Sequence, residues 1–257
     1  MNELIDALAA SFAQGRLSSQ DVMRAELELS LLADREAALE QRAERARAVL
    51  ARYLGLAAAR PLPGNLPNLA PPPPPGTLDA VLPNHPMVKA LNAEIDAEDA
   101  DVAIAREAYK PSWALEGGYG VRGGDRPDLA TIGVSVSIPL FTGNRQDRRL
   151  SAARKERLSA ALRRDELLLD LKRESLSTYA DWTRLNVRLE RYDAVILAQA
   201  ENTVEASIGA YGGGLTDFPE LIRSQLAALE AEAQRLRLAV ERAEARVRLI
   251  YLLGDPS

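Results

Sequence analysis

Tyr211 to Gly254 reads YGGGLTDFPELIRSQLAALEAEAQRLRLAVERAEARVRLIYLLG, and the architecture expected of the chain follows from its spacing. Ile222, Leu226, Leu229, Ala233, Leu236, Val240, Ala243, Val247 and Ile250 advance by alternating steps of four and three. A period of 3.5 puts them on one stripe of a helix and implies coiled-coil-like packing. Upstream, Trp182, Leu185, Leu189, Tyr192 and Ile196 carry the matching pattern. The spacing predicts a long helix over 144–207, a tip over 208–217 around Gly212-Gly213-Gly214, and a returning helix over 218–253. Two such rods joined at a glycine-rich reversal form an antiparallel hairpin, with Gly214 supplying the backbone freedom of the turn.

The same plan occurs twice. Phe12-Ala13-Gln14-Gly15 precedes a helical block ending in Leu54-Gly55, as Tyr211 to Gly214 precedes one ending in Leu253-Gly254. A constant offset of 199 residues matches both ends without a gap and pairs Asp21 with Glu220, Val22 with Leu221, Arg24 with Arg223 and Leu27 with Leu226. This is a two-fold internal duplication, not a short-period solenoid. The first block's stripe is less regular: Leu32, Leu39, Ala46, Leu50 and Tyr53, with Glu36 among them. Its reversal at Gly15 is preceded by only a short incoming arm. The expectation is that residues 1–56 are the tip and returning helix of a first repeat, 57–86 a proline-rich linker containing Pro71 to Pro75, and 87–254 a second repeat.

Within that second repeat, Ala130, Ile132, Val134, Val136 and Ile138 alternate with Thr131, Gly133, Ser135 and Ser137. Period-two alternation marks a strand with one apolar face and one small polar face. Trp113, Leu115, Gly117, Tyr119 and Val121 form a weaker partner, and Arg122 to Asp128 is a polar turn, giving a β-hairpin over 112–139. Lys110-Pro111 closes a preceding helix over 87–109. Two strands cannot satisfy their own edges. Either several chains contribute hairpins to a closed barrel, with the Ile/Val face toward lipid, or a small hairpin packs on the helices.

Composition narrows the function. The 257 residues are 47% apolar and only 5% aromatic, so Ala and Leu dominate, which suits close helix packing. A net charge of −5 with interleaved signs gives no footprint for nucleic acid. Without cysteine there is no disulfide, thiolate zinc site or iron–sulfur cluster. His85, the one histidine, sits before Pro86 at a helix start, where a cap or turn role outweighs metal ligation; no metal and no cofactor are expected. The Gly212–Gly214 run lacks the Lys-Ser/Thr of a phosphate loop. Carboxylates at helical spacing among arginines are solubilising partners, so no catalytic residue is assigned and the chain is not expected to be an enzyme. Arg145, Arg148, Arg149, Arg154, Lys155 and Arg157 are either a solvated face or lie near anionic headgroups. Met1 opens into an amphipathic pattern and no signal peptide is read; with the short arm before Gly15, this leads to the expectation of an N-terminally truncated protomer.

These pieces resemble the outer membrane efflux proteins of the TolC type, most closely the heavy-metal efflux branch. The resemblance rests on His85-Pro86, Tyr109-Lys110-Pro111-Ser112-Trp113, Val134 to Phe141 (VSVSIPLF) followed by Thr142-Gly143, and the two reversal motifs. It implies a mainly α protomer with long coiled-coil-like helical hairpins and one β-hairpin, incomplete relative to the family. Three protomers would close a transmembrane β-barrel in the outer membrane above a periplasmic tunnel. Such a channel subunit would be a passive export duct for metal cations or small toxic compounds, with a periplasmic adaptor protein and an inner-membrane pump as partners. By the same resemblance, Gly15, Arg16, Leu17 and Ser18, and Gly214, Leu215, Thr216 and Asp217, are adaptor contacts. Tyr211 and Glu220 would form the pore constriction. Some members carry Arg and Asp where this chain has Thr216 and Arg223, which puts a gate of those ion pairs in doubt. The alternative is a soluble or periplasmic coiled-coil scaffold, or a truncated fragment that does not insert.

Overall fold

Long stretches free of Gly and Pro and rich in Ala, Leu, Arg and Glu dictate long helices, and the computed structural model is built from them. It describes residues 19–124 and 126–254. The chain is mainly α-helical with one antiparallel two-stranded hairpin. The elements are α1 (Ser19–Leu54), α2 (Pro86–Glu107), β1 (Ser112–Gly120), β2 (Leu129–Ser137), α3 (Gln146–Arg191), a π turn (Tyr192–Ile196), α4 (Leu197–Gly212) and α5 (Phe218–Leu253). Helix α3 alone has 46 residues, about 70 Å at 1.5 Å per residue. Helices α1 and α5 have 36 residues each, and Gly55 and Gly254 just beyond them both have positive φ, +56° and +65°. Phe12 and the segment Gly15–Ser18 lie outside the described residues. Among the described residues no helix is long and apolar enough to cross a membrane.

The chain divides into two compact units, the first made of residues up to Ala70 with Asp181–Arg246, the second of Pro71–Ala180 with residues from Val247 onward. In the first unit α5 runs antiparallel to the α3 end and α4. Leu189 packs on Leu238 and Ala239, flanked by Leu185 and Tyr192. Polar ties cross the same seam: Arg235 Nε donates to Asp193 at 2.8 Å, and Arg242 donates to the side-chain Oδ1 of Asn186 at 3.4 Å. The carboxylate beside Arg235 holds that guanidinium's pKa above its ordinary value. No side chain described in α1 is buried, and Leu39, Val49 and Tyr53 are largely exposed. Arg35 reaches Glu230 of α5 at 3.7 Å.

The stripe expected from the 3.5 period is corrected here by one helical position. Leu229, Leu236 and Val247 of that stripe are exposed, whereas Phe218, Leu221, Leu238, Leu249 and Leu252 are buried. The reason is chemical. The seam that meets the neighbouring helix contains Arg235 and Arg242, whose charges are met by Asp193 and Asn186, so it reads as polar. The adjacent stripe is wholly apolar and reads as the core, yet it is only partly covered. Ile222, Leu226, Val240, Ala243 and Ile250 are half-buried at the seam's edge, and Ala233 is exposed with Leu229, Leu236 and Val247. Helix α3 behaves alike, with Leu158, Leu162, Leu169 and Leu176 exposed on the side away from its buried positions.

In the second unit, α2 lies antiparallel to α3, tied by Asp99–Arg157 at 3.0 Å and Glu94–Arg163 at 2.8 Å. Val102 and Ala105 meet Ala153 and Leu150 at one end. At the other, Leu78 and Leu82 from the short turns before α2 pack with Val88, Leu171, Leu252 and Leu253. His85 closes this corner at 3% exposure. Its Nδ1 accepts the Met87 N–H at 3.2 Å, capping α2, which leaves the proton on Nε2 to donate to the Tyr251 carbonyl at 3.3 Å. Gly254 lies so close that a Cβ would sit 2.8 Å from Pro86 Cδ and 2.9 Å from His85 Cδ2.

If the seam runs through Leu238, which is fully buried, Leu238→Ala should cost about 2–5 kcal/mol. Leu236→Ala, two residues away at 58% exposure, should stay within about 0.5 kcal/mol. Urea denaturation of the two variants measures the difference, and equal costs would contradict the assignment.

Candidate functional site

The first site is the helical reversal. A helix ends with unpaired carbonyls, and three consecutive glycines allow the chain to satisfy them by turning left-handed. Gly214 has φ +70°. The Leu215 N–H donates to the Ala210 carbonyl at 2.8 Å and the Gly214 N–H to the Tyr211 carbonyl at 3.0 Å, the Schellman pair of bonds. Two residues on, Asp217 starts the returning helix by accepting the Glu220 N–H at 3.1 Å. Between these caps the Tyr211 ring meets Phe218 edge-on, centroids 5.9 Å apart at 65°, over buried Leu221.

The residues singled out from sequence therefore have distinct places. Gly214 is the turn itself, Leu215 projects into solvent, and Asp217 is the cap. Tyr211 is half-buried in the tip's own small core. Glu220 is exposed, and its carboxylate is held by Arg223 at 2.9 Å. Thr216 and Glu220 line an open groove of about 720 Å³ with Gln199, Asn202, Thr203, Ala206, Ser207 and Ala210, a wall where amides and hydroxyls alternate with apolar surface. On another flank, Arg24 and Glu28 of α1 and Phe218, Ile222 and Arg223 of α5 enclose a smaller pocket of about 250 Å³. Gly15, Arg16, Leu17 and Ser18 lie outside the described residues. Arg223, read from sequence as the repeat partner of Arg24 and as a departure from the family's gate pattern, is here the ion-pair partner of Glu220. Phe218 is expected from sequence only as the start of the returning helix. The Asp217-x-x-Glu220 start signal was available for the cap; no local signal marks Phe218 as the partner of Tyr211.

The second site is the hairpin. Its register pairs Trp113 with Val136, Leu115 with Val134, Gly117 with Ile132 and Tyr119 with Ala130. Those residues share one face, and Ser112, Ser137, Ala114, Ser135, Gly118 and Thr131 share the other. Every residue of both strands is exposed, Ile132 to 86%. The turn is fastened by Asp128, which accepts from the Tyr119 hydroxyl and from the Arg122 N–H at 3.2 Å. Those two bonds, the phenol's first, hold the Asp128 carboxyl below its ordinary pKa. The arrangement presents a two-faced sheet whose outer edges have no strand partner among the described residues. Among the described residues no group of three or more His, Asp or Glu is placed to hold a metal ion.

Comparison with known proteins bears on both segments. A family model described as outer membrane efflux protein matches residues 77–255. The cobalt-zinc-cadmium resistance protein CzcC of Cupriavidus metallidurans is 24% identical over 191 residues, 74% of this chain and 45% of CzcC. A solved membrane protein from Pseudomonas aeruginosa superposes with a TM-score of 0.84 at 22% identity, covering 98% of this chain and 59% of that one. CusC, described through its folding and transmembrane channel formation, gives a TM-score of 0.86 at 16% identity, covering 98% and 61%. The chain spans about half the length of the curated relatives it matches. At these identities the structural likeness speaks for the fold alone.

Two measurements check the site geometry. Gly214→Ala, forced to keep φ +70°, should cost about 1–2 kcal/mol, and Asp217→Ala about 1 kcal/mol through loss of the cap. Both should speed amide exchange at the tip while sparing Leu238. At the hairpin turn, a depressed Asp128 pKa means the clamp's contribution is present above the ordinary value of 3.8 and is lost as pH falls through the lower, folded one. Exchange protection of the Arg122 amide should therefore persist at pH 5 and disappear in stronger acid, and Tyr119→Phe should move that loss to higher pH.

Proposed function

The chain belongs to the outer membrane efflux protein family, and from that premise we propose that it is a subunit of a trimeric outer membrane channel in a tripartite efflux system. The carrying observation is the hairpin. Its strands expose an apolar face and a small polar face at once, with unpaired edges. Such a sheet is costly in water and fits a closed barrel, where Trp113, Leu115, Ile132 and Val134 meet lipid and Ser135, Thr131 and the glycines line a water-filled lumen. Glu116 falls on the lumenal face with the serines, where its charge stays hydrated.

Residues 77–254 are then one structural half and residues 1–56 the last arm of the other, joined by the proline-rich linker. The equal lengths of α1 and α5 and the matching positive-φ glycines after them support this division. The partly uncovered stripes on α3 and α5 give each helix a second neighbour to pack against, as a tunnel wall of many helices requires. Transport needs no covalent step from this chain: a lumen of hydroxyls and amides lets hydrated cargo pass without holding it. The reversal tips, Gly15 to Ser18 and Gly214 to Asp217, are the contacts for a periplasmic adaptor, which couples them to an inner-membrane pump. Tyr211 and Glu220 stand at the constriction. Because Arg223 balances Glu220, opening there depends on parting the tips more than on removing repulsion between carboxylates. Metal cations are the favoured cargo class, a reading supported by the similarity to the cobalt-zinc-cadmium resistance protein.

The absence of cysteine makes the test direct. Single cysteines placed at Ser135 or Thr131 should react with a water-soluble maleimide in outer-membrane vesicles, and those at Val134 or Ile132 should be shielded. The four sites labelling equally would sink the barrel reading and favour a coiled-coil scaffold that does not insert.

A further inference from the structure

Where β2 gives way to α3, two unusual surfaces meet. The connecting residues are apolar and uncovered: Ile138 and Leu140 are exposed, and Phe141, at 94% exposure, touches nothing that would hold it. Phe141 is also the one non-glycine residue with positive φ among those described, +58°, a conformation that L residues adopt at a cost. Four residues later the cations begin.

Charge compensation along α3 changes abruptly at this end. Between 157 and 173 every cation has a carboxylate partner: Arg157 with Asp99, Arg163 with Glu94, Arg164 with Asp165, Lys172 with Asp79 and Arg173 with Asp170. Between 145 and 155 the pattern stops. Arg145, Arg148, Arg149, Arg154 and Lys155 are all exposed, and none has an ion-pair partner among the described residues. Of the two acids in and beside this stretch, Asp147 accepts the Tyr109 hydroxyl at 2.5 Å, and neither it nor Glu156 pairs with these cations. Leu150 and Ala153 turn an adjoining side of the helix against Val102 and Ala105. Arg145, just before the first turn of α3, and Arg148 and Arg149 on that turn are all exposed and, spaced three and four apart, form one patch.

We propose that Leu140, Phe141, Arg145, Arg148 and Arg149 form a binding surface for the phosphate headgroups of anionic phospholipid, with the two apolar side chains entering the acyl boundary. The guanidinium fork matches phosphodiester oxygens in pairs, and a planar aromatic ring next to basic side chains suits the boundary between hydrocarbon and water. The position agrees with the hairpin: the patch begins within a few residues of the last strand position, so a sheet facing lipid brings the arginines to headgroup level. This placement rests on the channel reading above. Charge complementarity to phosphate does not. An acidic protein would satisfy the arginines but would leave Phe141 and Leu140 without an apolar layer to enter.

The test is flotation of the full chain with vesicles of phosphatidylcholine, alone or with about one-third phosphatidylglycerol. Binding to the anionic vesicles should be at least about tenfold tighter and should weaken with sodium chloride. The double variant Arg148→Glu, Arg149→Glu should lose that preference, and the double variant to Lys should keep most of it. Phe141→Ala should weaken binding to both vesicle types. Equal binding to the two compositions, no binding to either, or an unchanged preference in the charge-reversed variant would overturn the proposal. So would displacement by inorganic phosphate well beyond that by chloride at the same ionic strength, which would mark a site for the free anion. Binding confined to anionic vesicles, with no change in Trp113 emission and abolished by charge reversal, would uphold the patch while contradicting a lipid-facing hairpin.

Discussion

A rod one helix thick can hide only the stripe that touches its neighbour, and this limit governs the chain. Within the first unit, Leu189 against Leu238 and Ala239 is the densest apolar contact, and the Arg235–Asp193 and Arg242–Asn186 ties flank it. Small alanines between these points keep the backbones close, so register matters more than bulk. The Gly214 turn and the Asp217 cap set that register at the open end. Capping satisfies backbone groups that no packing could reach, because the tip has too few side chains to bury them.

The same limit explains why so much apolar surface stays uncovered. Leu158, Leu162, Leu169 and Leu176 on α3, Leu229, Leu236 and Val247 on α5, and most of α1 have no cover within the described residues. The hairpin repeats the situation in β form, apolar on one face and open at both edges. A chain built to finish itself would not distribute leucine in this way. Both features leave surface that only neighbours of the same kind would cover, helix beside helix and strand beside strand.

Much of this was legible in the residues. The glycine triplet after a long apolar-periodic run announced a reversal, and strict alternation from Ala130 to Ile138 announced the strand and its two faces. Mainly helical architecture with long hairpins and one small β element followed from those two signals. The phase of the α5 seam was not legible, because a periodicity count treats Arg235 and Arg242 as solvent-facing while their partners lie elsewhere in the chain. At the tip, the Asp217 cap had a local signature and could have been read. The Glu220–Arg223 pair, three apart on one helix, was likewise within reach of spacing. The Tyr211–Phe218 contact depends on which way the turn throws its side chains, which spacing alone does not encode.

The π turn at Tyr192–Ile196 carries one residue more than an α turn would. On this arm the partly covered positions run 192, 196, 197, 200, 204, 207, 210 and 211, so the step across the π turn is four or five, whereas threes and fours alternate beyond it. The widened turn swallows that surplus locally, so the arm beyond it keeps facing α5 instead of rotating away. It works as a vernier: arms of unequal residue count can still mesh, and a lineage that gains or loses a single codon there need not unzip the pair.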